Sequence, residues 1–400
     1  MKNDIAFRGM LQEKEVSNLL GDLISINSVN PLADNSSKGE KELALYIRGY
    51  LKNIGVRSSL QWVLEGRPNI IGILEGKNKG KNFVLESHMD TVKADNMRMD
   101  PFLPKIEGGK IFGRGACDDK GSLAAMLLAL KLIRQKKNIP LNGDIYFAAV
   151  VDEEHKSAGV LHILNHGFRF DAGIVGEPTN LQIIVALRGT IRLRIITKGR
   201  SAHGSEPEKG ENAIYFMTRV IDSLRTKLVP FYKKRTHPLV GSPTLSVNTI
   251  RGGIQSNIIP DSCVIEIDRR MIPGENVPDV LREIDEVLNQ LRIENHLLEV
   301  KREDPFAAVS PIEISKDEAV VQALSHSVRH NTCKEAKIGG ERFSSDAGIF
   351  FGRKIPTPVF GPGNIAQAHS EVEWVEIKEV IQAAEIIAQT IVIYQDMKHS

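Results

Sequence analysis

At 400 residues the chain is too long for one ordinary hydrophobic core, so its length predicts two or three domains. Its 52 Lys and Arg residues nearly balance 50 Asp and Glu residues, which argues against a surface for nucleic acid. The three cysteines are too far apart for a disulfide framework, and no apolar run reaches the ~18 residues of a membrane helix. Because residues 1–4 lead into a polar stretch without a signal core, we expect a cytoplasmic protein without membrane or nucleic-acid partners.

The first half of the chain alternates predicted helices with predicted strands. Apolar residues at helical spacing predict helices over four segments: 10–27, 38–54, 121–133 and a segment from about 158. Short apolar runs predict buried strands over four more: 69–74, 83–85, 145–151 and 172–175. This alternation predicts an α/β fold with a mixed, largely parallel sheet and helices on both faces. In such sheets, ligands bind at the carboxyl ends of the strands.

The pattern changes near Val185. Thr190–Ile196 alternates apolar and polar residues with a period of two, as a half-buried strand does. The elements predicted after it are a helix from Asn212, strands over 244–250 and 263–268, a helix over 278–292 and a last helix from Ile377. Since the α/β pattern resumes near 303, we predict a discontinuous larger domain, 1–184 and 303–400. A smaller α+β domain is predicted to be inserted over 185–302.

Histidines and carboxylates fall at or near the ends of the predicted elements: His88, Asp90, Asp118, Glu153, Glu154, Glu177 and His369. Three of them, His88, Glu153 and Glu177, each come just after a predicted strand. Taken singly, such residues are also typical of helix caps, solvated charge runs and loops. Together they form an imidazole and carboxylate set that suits zinc and its neighbours. Of two adjacent acids at the end of a strand, one can bind a metal ion while the other acts as a general base.

Five motifs of this chain resemble those of the co-catalytic zinc deacylases and peptidases: Ser87–Asp90, Cys117–Gly121, Asp152–Glu154, Gly176–Pro178 and Ala368–Ser370. That family includes acetylornithine deacetylase, succinyl-diaminopimelate desuccinylase, aminoacylase and carboxypeptidase G. The resemblance covers essentially all 400 residues. It implies a zinc-exopeptidase-like fold for the larger domain, which would be catalytic and metal-binding. The inserted domain would serve as a lid and as the dimerisation domain.

The resemblance also implies a metal ligand role for five residues. His88 and Glu177 would hold one metal ion, and Glu154 and His369 would hold the other. Asp118 would bridge the two ions. The cofactor implied is therefore two Zn²⁺ ions per subunit, although Co²⁺ or Mn²⁺ suits the same ligands.

Three further assignments follow from the same resemblance. The bridging role goes to Asp118 rather than Asp119, because Gly113–Gly121 aligns with the family motif Gly-Arg-Gly-Ala-x-Asp-x-Lys-Gly. The family tends to have a cis peptide after this aspartate. Glu153 would be the general base of the reaction. Asp90 would accept a hydrogen bond from the second ring N–H of the metal-bound His88, and this bond would fix the tautomer of the ring.

The inserted domain carries its own family motifs. Arg200–Ser205 resembles the lid motif, whose histidine, here His203, would reach across a dimer to stabilise the oxyanion. Asn257 and Arg270 resemble the pair that contacts the substrate, and a guanidinium suits a substrate carboxylate. The alternative for Arg270 is a surface charge at a strand edge.

Glycines of the last loop and two departures from the family pattern complete the comparison. Gly361 and Gly363 would keep their loop close to the substrate backbone. Ser87 stands where the family often has Gly, and Lys93 stands where it often has Pro. Neither residue is an expected ligand, so both departures bear on the substrate rather than on the chemistry.

We therefore expect a homodimeric, metal-dependent hydrolase that cleaves the linear amide bond of an N-acyl amino acid. Acetylornithine deacetylase and succinyl-diaminopimelate desuccinylase are the expected types, with a role in amino-acid biosynthesis. The alternative within the family is a metallo-dipeptidase or carboxypeptidase that acts on a short peptide. A more remote alternative is a metal-binding protein without catalytic activity.

Overall fold

The computed structural model describes residues 7–136, 139 and 141–397, so residues 1–4 lie outside it. Ten α-helices occur in the described residues: α1 (Glu13–Ser25), α2 (Lys41–Asn53), α3 (Lys120–Gln135), α4 (Ala158–Asn165), α5 (Ala213–Ser223), α6 (Val229–Tyr232), α7 (Val277–Glu294), α8 (Ala319–Thr332), α9 (Ala347–Gly352) and α10 (Ile377–Asp396). Two 3₁₀-helical segments cover Pro207–Lys209 and Ile365–Gln367, and a π-helical segment covers Leu224–Leu228. None of the helices in the described part of the chain is long and apolar enough to span a membrane.

Sixteen strands occur in the described residues. They are β1 (Arg57–Leu64), β2 (Arg67–Leu74), β3 (Phe83–His88), β4 (Lys105–Glu107), β5 (Lys110–Phe112), β6 (Ile145–Val150), β7 (Ala172–Val175), β8 (Ile183–Leu187), β9 (Gly189–Lys198), β10 (Thr244–Gly252), β11 (Ser262–Met271), β12 (Glu299–Arg302), β13 (Ala307–Val309), β14 (Ile312–Glu313), β15 (Ile338–Glu341) and β16 (Trp374–Glu376).

The chain forms two compact units. The larger unit consists of the described residues up to Val185, of Ile314–Gly339 and of the described residues from Ser345 onward. The smaller unit consists of Ala186–Glu313 and Gly340–Ser344. It extends beyond residue 302, where the predicted insertion ends, because β13 pairs antiparallel with β9 and keeps the chain in the smaller unit.

A five-stranded mixed sheet forms the centre of the larger unit, in the order β1-β2-β6-β3-β7. The β1/β2 and β2/β6 pairs are antiparallel, and the β6/β3 and β3/β7 pairs are parallel. Every residue of β3 and β7 is buried, so both faces of these strands are covered, as their continuous apolar sequences predict. The mixed α/β fold predicted from the sequence is confirmed.

Helices α3 and α10 pack against each other in the larger unit, and α10 also contacts α8. Most residues of α3 and α10 are buried, which explains why both sequences are apolar around most of the helix. Since β6, β3 and β7 run parallel, their carboxyl ends lie at one edge of the sheet. The chain leaves that edge after His88, Val150 and Val175.

The smaller unit is an antiparallel sheet, in the order β10-β11-β9-β12, covered by α5 and α7. Its core consists of alternate residues of β9 and β11 and one face of each helix, and it includes Ile191, Leu193, Ile195, Ile265 and Ile284. The period of two in the β9 sequence is thus the pattern of a sheet with one buried face. Strand β10 lies at the edge of this sheet.

Candidate metal centre

The predicted ligands emerge from neighbouring strand ends of the larger unit. His88 is the last residue of β3, and Glu177 lies two residues beyond the end of β7. Glu153 and Glu154 follow the end of β6. His88 is 2% exposed and Glu177 is 5% exposed, so these polar side chains are held inside the protein. The parallel order of the strands brings together residues that are far apart in sequence.

Six side chains form two groups in which the possible ligand atoms all lie within 4.8 Å of one another. The first group is His88, Glu153 and Glu177, and the second is Asp118, Glu154 and His369. All five residues expected to bind metal are therefore present in the two groups. The sixth, Glu153, was expected to be the general base, and the structure places its carboxylate beside two of the expected ligands.

Asp118 lies between the two histidines. Its Oδ1 is 3.0 Å from Nε2 of His88, and its Oδ2 is 3.2 Å from Nε2 of His369. The same nitrogen of His369 is 3.1 Å from Oε1 of Glu154. Each oxygen of one carboxylate thus faces a different imidazole, and the bridging role of Asp118 stays a prediction.

The neighbouring Asp119 belongs to neither group of possible ligands. The hydroxyl of Ser87 donates a hydrogen bond of 2.5 Å to Oδ2 of Asp119. The peptide bond between Asp118 and Asp119 is cis, as the family resemblance implies. Asp119 also precedes the first residue of α3 as its N-cap. Of the two adjacent aspartates, Asp118 is therefore the one that the geometry makes available to a metal ion.

Buried negative charge dominates the electrostatics of this centre. Burial, together with neighbouring carboxylates, raises the pKa of Glu153 and Glu177 well above the usual value. Burial acts in the same direction on Asp118, but hydrogen bonds from His369 and His88 outweigh it and lower its pKa. Hydrogen bonds to Asp118 and Glu154 raise the pKa of His369 to about 10. The buried acids thus favour a positive charge between them. Carboxylate oxygens and imidazole nitrogens together form a donor set that fits divalent ions of the zinc type.

The carboxylate of Asp90 binds the backbone of the two adjacent glutamates. Its Oδ1 accepts the backbone N–H of Glu153 at 3.1 Å, and its Oδ2 accepts the backbone N–H of Glu154 at 3.2 Å. Nδ1 of His88 lies 2.8 Å from the backbone carbonyl oxygen of Asp90 and 3.7 Å from its carboxylate. The ring is therefore oriented by the Asp90 carbonyl, whereas the Asp90 carboxylate holds the turn at 153–154.

Four buried residues to which the sequence analysis gave no role support this turn. Nδ2 of Asn30 donates to Asp90 at 2.8 Å and to Asp152 at 3.1 Å. Nη1 of Arg67 donates to the same oxygen of Asp152 at 3.2 Å. The rest of the Arg67 guanidinium pairs with both oxygens of Glu40, at 2.7 and 2.5 Å. Asp152 has a positive φ of 71°, so these contacts hold a backbone conformation that non-glycine residues rarely adopt.

A second ion pair holds the segment before α3. Arg114 and Glu373 are joined at 2.7 Å, and their side chains are 1% and 0% exposed. Oε1 of Glu373 accepts the backbone N–H of Cys117 at 2.9 Å and of Asp118 at 3.0 Å. Glu373 thereby fixes the backbone of the central aspartate. No local sequence pattern indicates this role, because the paired residues are 259 positions apart.

The loop glycines pack against the same centre. A Cβ on Gly361 would lie 2.4 Å from Oγ of Ser122 and 2.6 Å from the carbonyl oxygen of Glu177. A Cβ on Gly363, whose φ is +84°, would lie 2.7 Å from Sγ of Cys117. These glycines therefore let their loop approach the backbone near Glu177 and Cys117. Contact with a substrate stays a prediction.

The remaining predicted residues belong to the smaller unit. His203 and Asn257 are both exposed, and the backbone N–H of Gly204 donates to the carbonyl oxygen of Asn257 at 2.8 Å. Arg270 makes a two-fold contact with Asp268, at 2.7 and 3.2 Å, and Nη1 of Arg270 donates to Thr190 at 2.8 Å. The structure thus brings His203 and Asn257 together, and it gives Arg270 a carboxylate partner within the smaller unit.

Comparison with known proteins identifies the family. Residues 84–392 match the sequence model of peptidase family M20/M25/M40. Acetylornithine deacetylase of Proteus mirabilis is 30% identical over 380 residues, covering 92% of this chain and 94% of that protein. The N-formyl-4-amino-5-aminomethyl-2-methylpyrimidine deformylase of Bacillus subtilis is 27% identical over 407 residues, covering 95% of this chain and 94% of that protein.

Solved structures share the fold. A tripeptidase of Staphylococcus aureus has a TM-score of 0.79 at 23% identity, covering 97% of this chain and 100% of its own. A dinuclear metal-binding M20 peptidase of Bacillus subtilis has a TM-score of 0.70 at 16% identity, covering 96% of this chain and 97% of its own. The relatives with the higher sequence identities are a deacetylase and a deformylase, and both names describe hydrolysis of an amide bond. This chain belongs to peptidase family M20/M25/M40 and is a metal-dependent hydrolase of amide bonds.

Proposed function

We propose that this hydrolase uses two Zn²⁺ ions to remove the acyl group from an N-acyl amino acid. The position of Asp118 carries the proposal, because its two carboxylate oxygens face His88 and His369 at 3.0 and 3.2 Å. His88 and Glu177 would hold one ion, Glu154 and His369 would hold the other, and Asp118 would bridge them. When bound, the ions supply Lewis acidity for the acyl carbonyl and lower the pKa of water.

Glu153 is the general base of the proposed reaction. Its carboxylate lies beside His88 and Glu177, where it can accept a proton from the attacking water and then deliver that proton to the leaving nitrogen. Burial raises the pKa of Glu153 above the ordinary value of a glutamate. Asp90 holds the backbone of Glu153 in place at 3.1 Å.

The relatives with the higher sequence identities support an N-acyl amine as the substrate. The acetylornithine deacetylase and the pyrimidine deformylase, at 30% and 27% identity, both release an acyl group from nitrogen according to their names. The peptidases among the solved structures share the fold at 23% identity or less. The second candidate is therefore a dipeptidase or carboxypeptidase. A cytoplasmic role in amino-acid biosynthesis is part of the first proposal and draws on the acetylornithine deacetylase relatives.

A substrate panel tests the reaction and its metal requirement together. We expect primary amine to be released from one of N-acetylornithine, N-succinyl-diaminopimelate or another N-acyl amino acid when Zn²⁺ or Co²⁺ is present. Chelation should abolish this release and lower the melting temperature, since an ion that binds only the folded state at 1,000 times its Kd stabilises it by about 4 kcal/mol. Cleavage of dipeptides alone would favour the peptidase, and no release from any compound would favour a non-catalytic protein.

We also propose that the smaller unit forms a homodimer and presents His203 to the partner's active site. Strand β10 is an edge strand, and such strands offer unpaired backbone groups to another chain. Large apolar side chains are exposed on and beside this edge: Tyr215 is 69%, Ile250 53% and Ile254 85% exposed. His203 is also exposed, as a residue that acts on another subunit must be.

Mixed dimers test whether His203 acts across the interface. His203→Ala should lower kcat by about 10²–10³-fold, because one oxyanion donor is lost. When inactive His203→Ala chains are refolded or co-expressed with inactive Glu153→Gln chains, we expect activity to return. One site of each mixed dimer then has both Glu153 and a His203 from the other chain. A mixture that stays inactive, or a protein that light scattering shows to be monomeric, would contradict the proposal.

A further inference from the structure

His369 is held less firmly by packing than the other histidine of the candidate metal centre. His88 is the last residue of β3 and its side chain is 2% exposed, whereas the side chain of His369 is 52% exposed. The backbone of His369 has a φ of +60°, in the left-handed region that non-glycine residues rarely adopt. The direction of this imidazole towards Asp118 and Glu154 therefore depends on contacts that hold the backbone of residue 369.

One such contact comes from the side chain of Asn96. Nδ2 of Asn96 donates a hydrogen bond of 3.3 Å to the backbone carbonyl oxygen of His369. Two residues further along both segments, the backbone N–H of Arg98 donates to the carbonyl oxygen of Glu371 at 3.0 Å. Segments 96–98 and 369–371 therefore lie side by side, and Asn96 is the residue that contacts the backbone of the expected ligand.

The other end of the Asn96 amide is attached to a buried arginine. Nη2 of Arg114 donates to Oδ1 of Asn96 at 2.9 Å and to the carbonyl oxygen of Lys93 at 3.1 Å. Arg114 is 1% exposed, and its Nη1 donates to Glu373 at 2.7 Å. Because the guanidinium is buried and paired, it gives the exposed side chain of Asn96 a fixed point of attachment.

These contacts form a chain of hydrogen bonds that joins the backbones of two expected ligands. At one end, Glu373 accepts the backbone N–H of Asp118 at 3.0 Å. Glu373 is paired with Arg114, which in turn binds Asn96. At the other end, Asn96 binds the carbonyl oxygen of His369. Asp118 and His369 belong to the same group of possible ligands, so one network contacts the backbone of both.

The two partners of residue 96 explain why an amide suits this position. A guanidinium group can only donate hydrogen bonds, and a backbone carbonyl can only accept them. A side chain between the two must therefore accept from Arg114 and donate to His369, and the amide of Asn96 does both. An ionised aspartate has nearly the same size and could still accept from Arg114, but it has no hydrogen to donate to the carbonyl.

We propose that Asn96 is a positioning residue for His369 and that it acts by holding the carbonyl group of residue 369. This inference rests on the proposed function, in which His369 binds one of the two Zn²⁺ ions. Removal of a residue that orients a metal ligand typically weakens metal binding by about 10- to 100-fold. The hydrogen bond of 3.3 Å is long and Asn96 is exposed, so we expect an effect near the lower limit.

Zinc titration of three variants tests this role. Asn96→Ala removes both contacts, and Asn96→Asp keeps only the acceptor for Arg114. Asn78→Ala is the matched control, because Asn78 is also exposed in the larger unit and donates to another side chain, Asn142, at 2.8 Å. In competition with a colorimetric chelator, the Kd of one of the two Zn²⁺ ions should rise about 10-fold in both Asn96 variants. In Asn78→Ala it should change less than about two-fold.

The aspartate variant decides which property of residue 96 matters. If Asn96→Asp binds both ions as tightly as the wild type, or more tightly, the proposal is overturned. In that case the contact with Arg114 or a negative charge would suffice, and the donor to His369 would not be needed. Unchanged affinity in Asn96→Ala, or equal weakening of both ions, would also overturn it, because the expected effect is confined to the ion that His369 binds.

Two further measurements exclude a general loss of folding and a failure of the proposed function. Metal-free Asn96→Ala should melt within about 2 °C of the metal-free wild type, since exposed substitutions change stability little, and a larger drop would contradict a positioning role. His369→Ala should lose one ion in the same titration. If it does and Asn96→Ala binds both ions normally, this inference fails and the proposed function stands. If His369→Ala binds two ions as tightly as the wild type, both fail.

Discussion

Replacing Glu153 with glutamine is expected to lower kcat by about 10²–10⁴-fold, the usual contribution of a general base. Glutamine keeps the size of the side chain and removes its ability to accept a proton. The backbone of residue 153 should stay in place, because its N–H donates a hydrogen bond of 3.1 Å to Asp90. This hydrogen bond does not involve the side chain of residue 153. We expect two Zn²⁺ ions per chain to remain bound, as measured by metal analysis after gel filtration.

Metal content decides between two roles for Glu153, because its carboxylate lies in one group with His88 and Glu177. The neighbouring variant Glu154→Gln is the matched control. It alters a residue whose Oε1 is 3.1 Å from Nε2 of His369, and it should release or weaken one ion. If Glu153→Gln also loses an ion, Glu153 is a ligand and not the base. Full turnover with both ions bound would remove Glu153 from the mechanism.

Replacing Arg67 with alanine is expected to lower the free energy of unfolding by about 3–5 kcal/mol, as breaking a buried ion pair does. The Arg67 side chain is 7% exposed, and its partners Glu40 and Asp152 are 0% and 2% exposed. Without the guanidinium, two buried carboxylates would lose their cation. Burial already raises the pKa of Glu40, so this acid would take up a proton or draw water into the protein.

Arg57→Ala is the matched control for Arg67→Ala. Arg57 lies on the adjacent strand β1 and pairs with Glu75 at 2.7 Å, but the two side chains are 70% and 64% exposed. Exposed pairs contribute at most about 1 kcal/mol, so urea unfolding should separate the two variants clearly. The Arg67 variant should also lose activity, since Asp152 precedes Glu153 and Glu154 directly. If both substitutions lowered the free energy of unfolding equally, burial would not determine how much an ion pair stabilises this protein.

Much of the centre could be predicted because its ligands follow local signals. The apolar runs of β3, β6 and β7 indicate where each strand ends, and the rule for parallel sheets then predicts that His88 and Glu177 lie close together. The choice between Asp118 and Asp119 has no such signal, since both are aspartates before the same helix. Only the family resemblance separates them, and the structure shows the cause: Ser87 binds Asp119 at 2.5 Å.

The supporting residues could not be predicted, because their partners are distant in sequence. Arg67 and Glu40 are 27 residues apart, and Arg67 and Asp152 are 85 apart. Each looks like an ordinary charged residue in its local sequence, and only the fold makes it a buried partner. The smaller unit extends to Glu313, beyond the predicted end of the insertion, for a related reason. Strand β13 has three residues, too few for a clear pattern, and it is recognised only by its pairing with β9.

The division of the larger unit into separate stretches of chain has a consequence for synthesis on the ribosome. By the time residue 313 has been made, nearly all of the smaller unit exists and can begin to fold. The larger unit still lacks α10, so the apolar surface of α3 that α10 will cover remains open on the nascent chain. His369, one of the three residues in the second ligand group, also has yet to appear. The second group of possible metal ligands is therefore completed only near the end of synthesis, long after the first group of His88, Glu153 and Glu177 has been made.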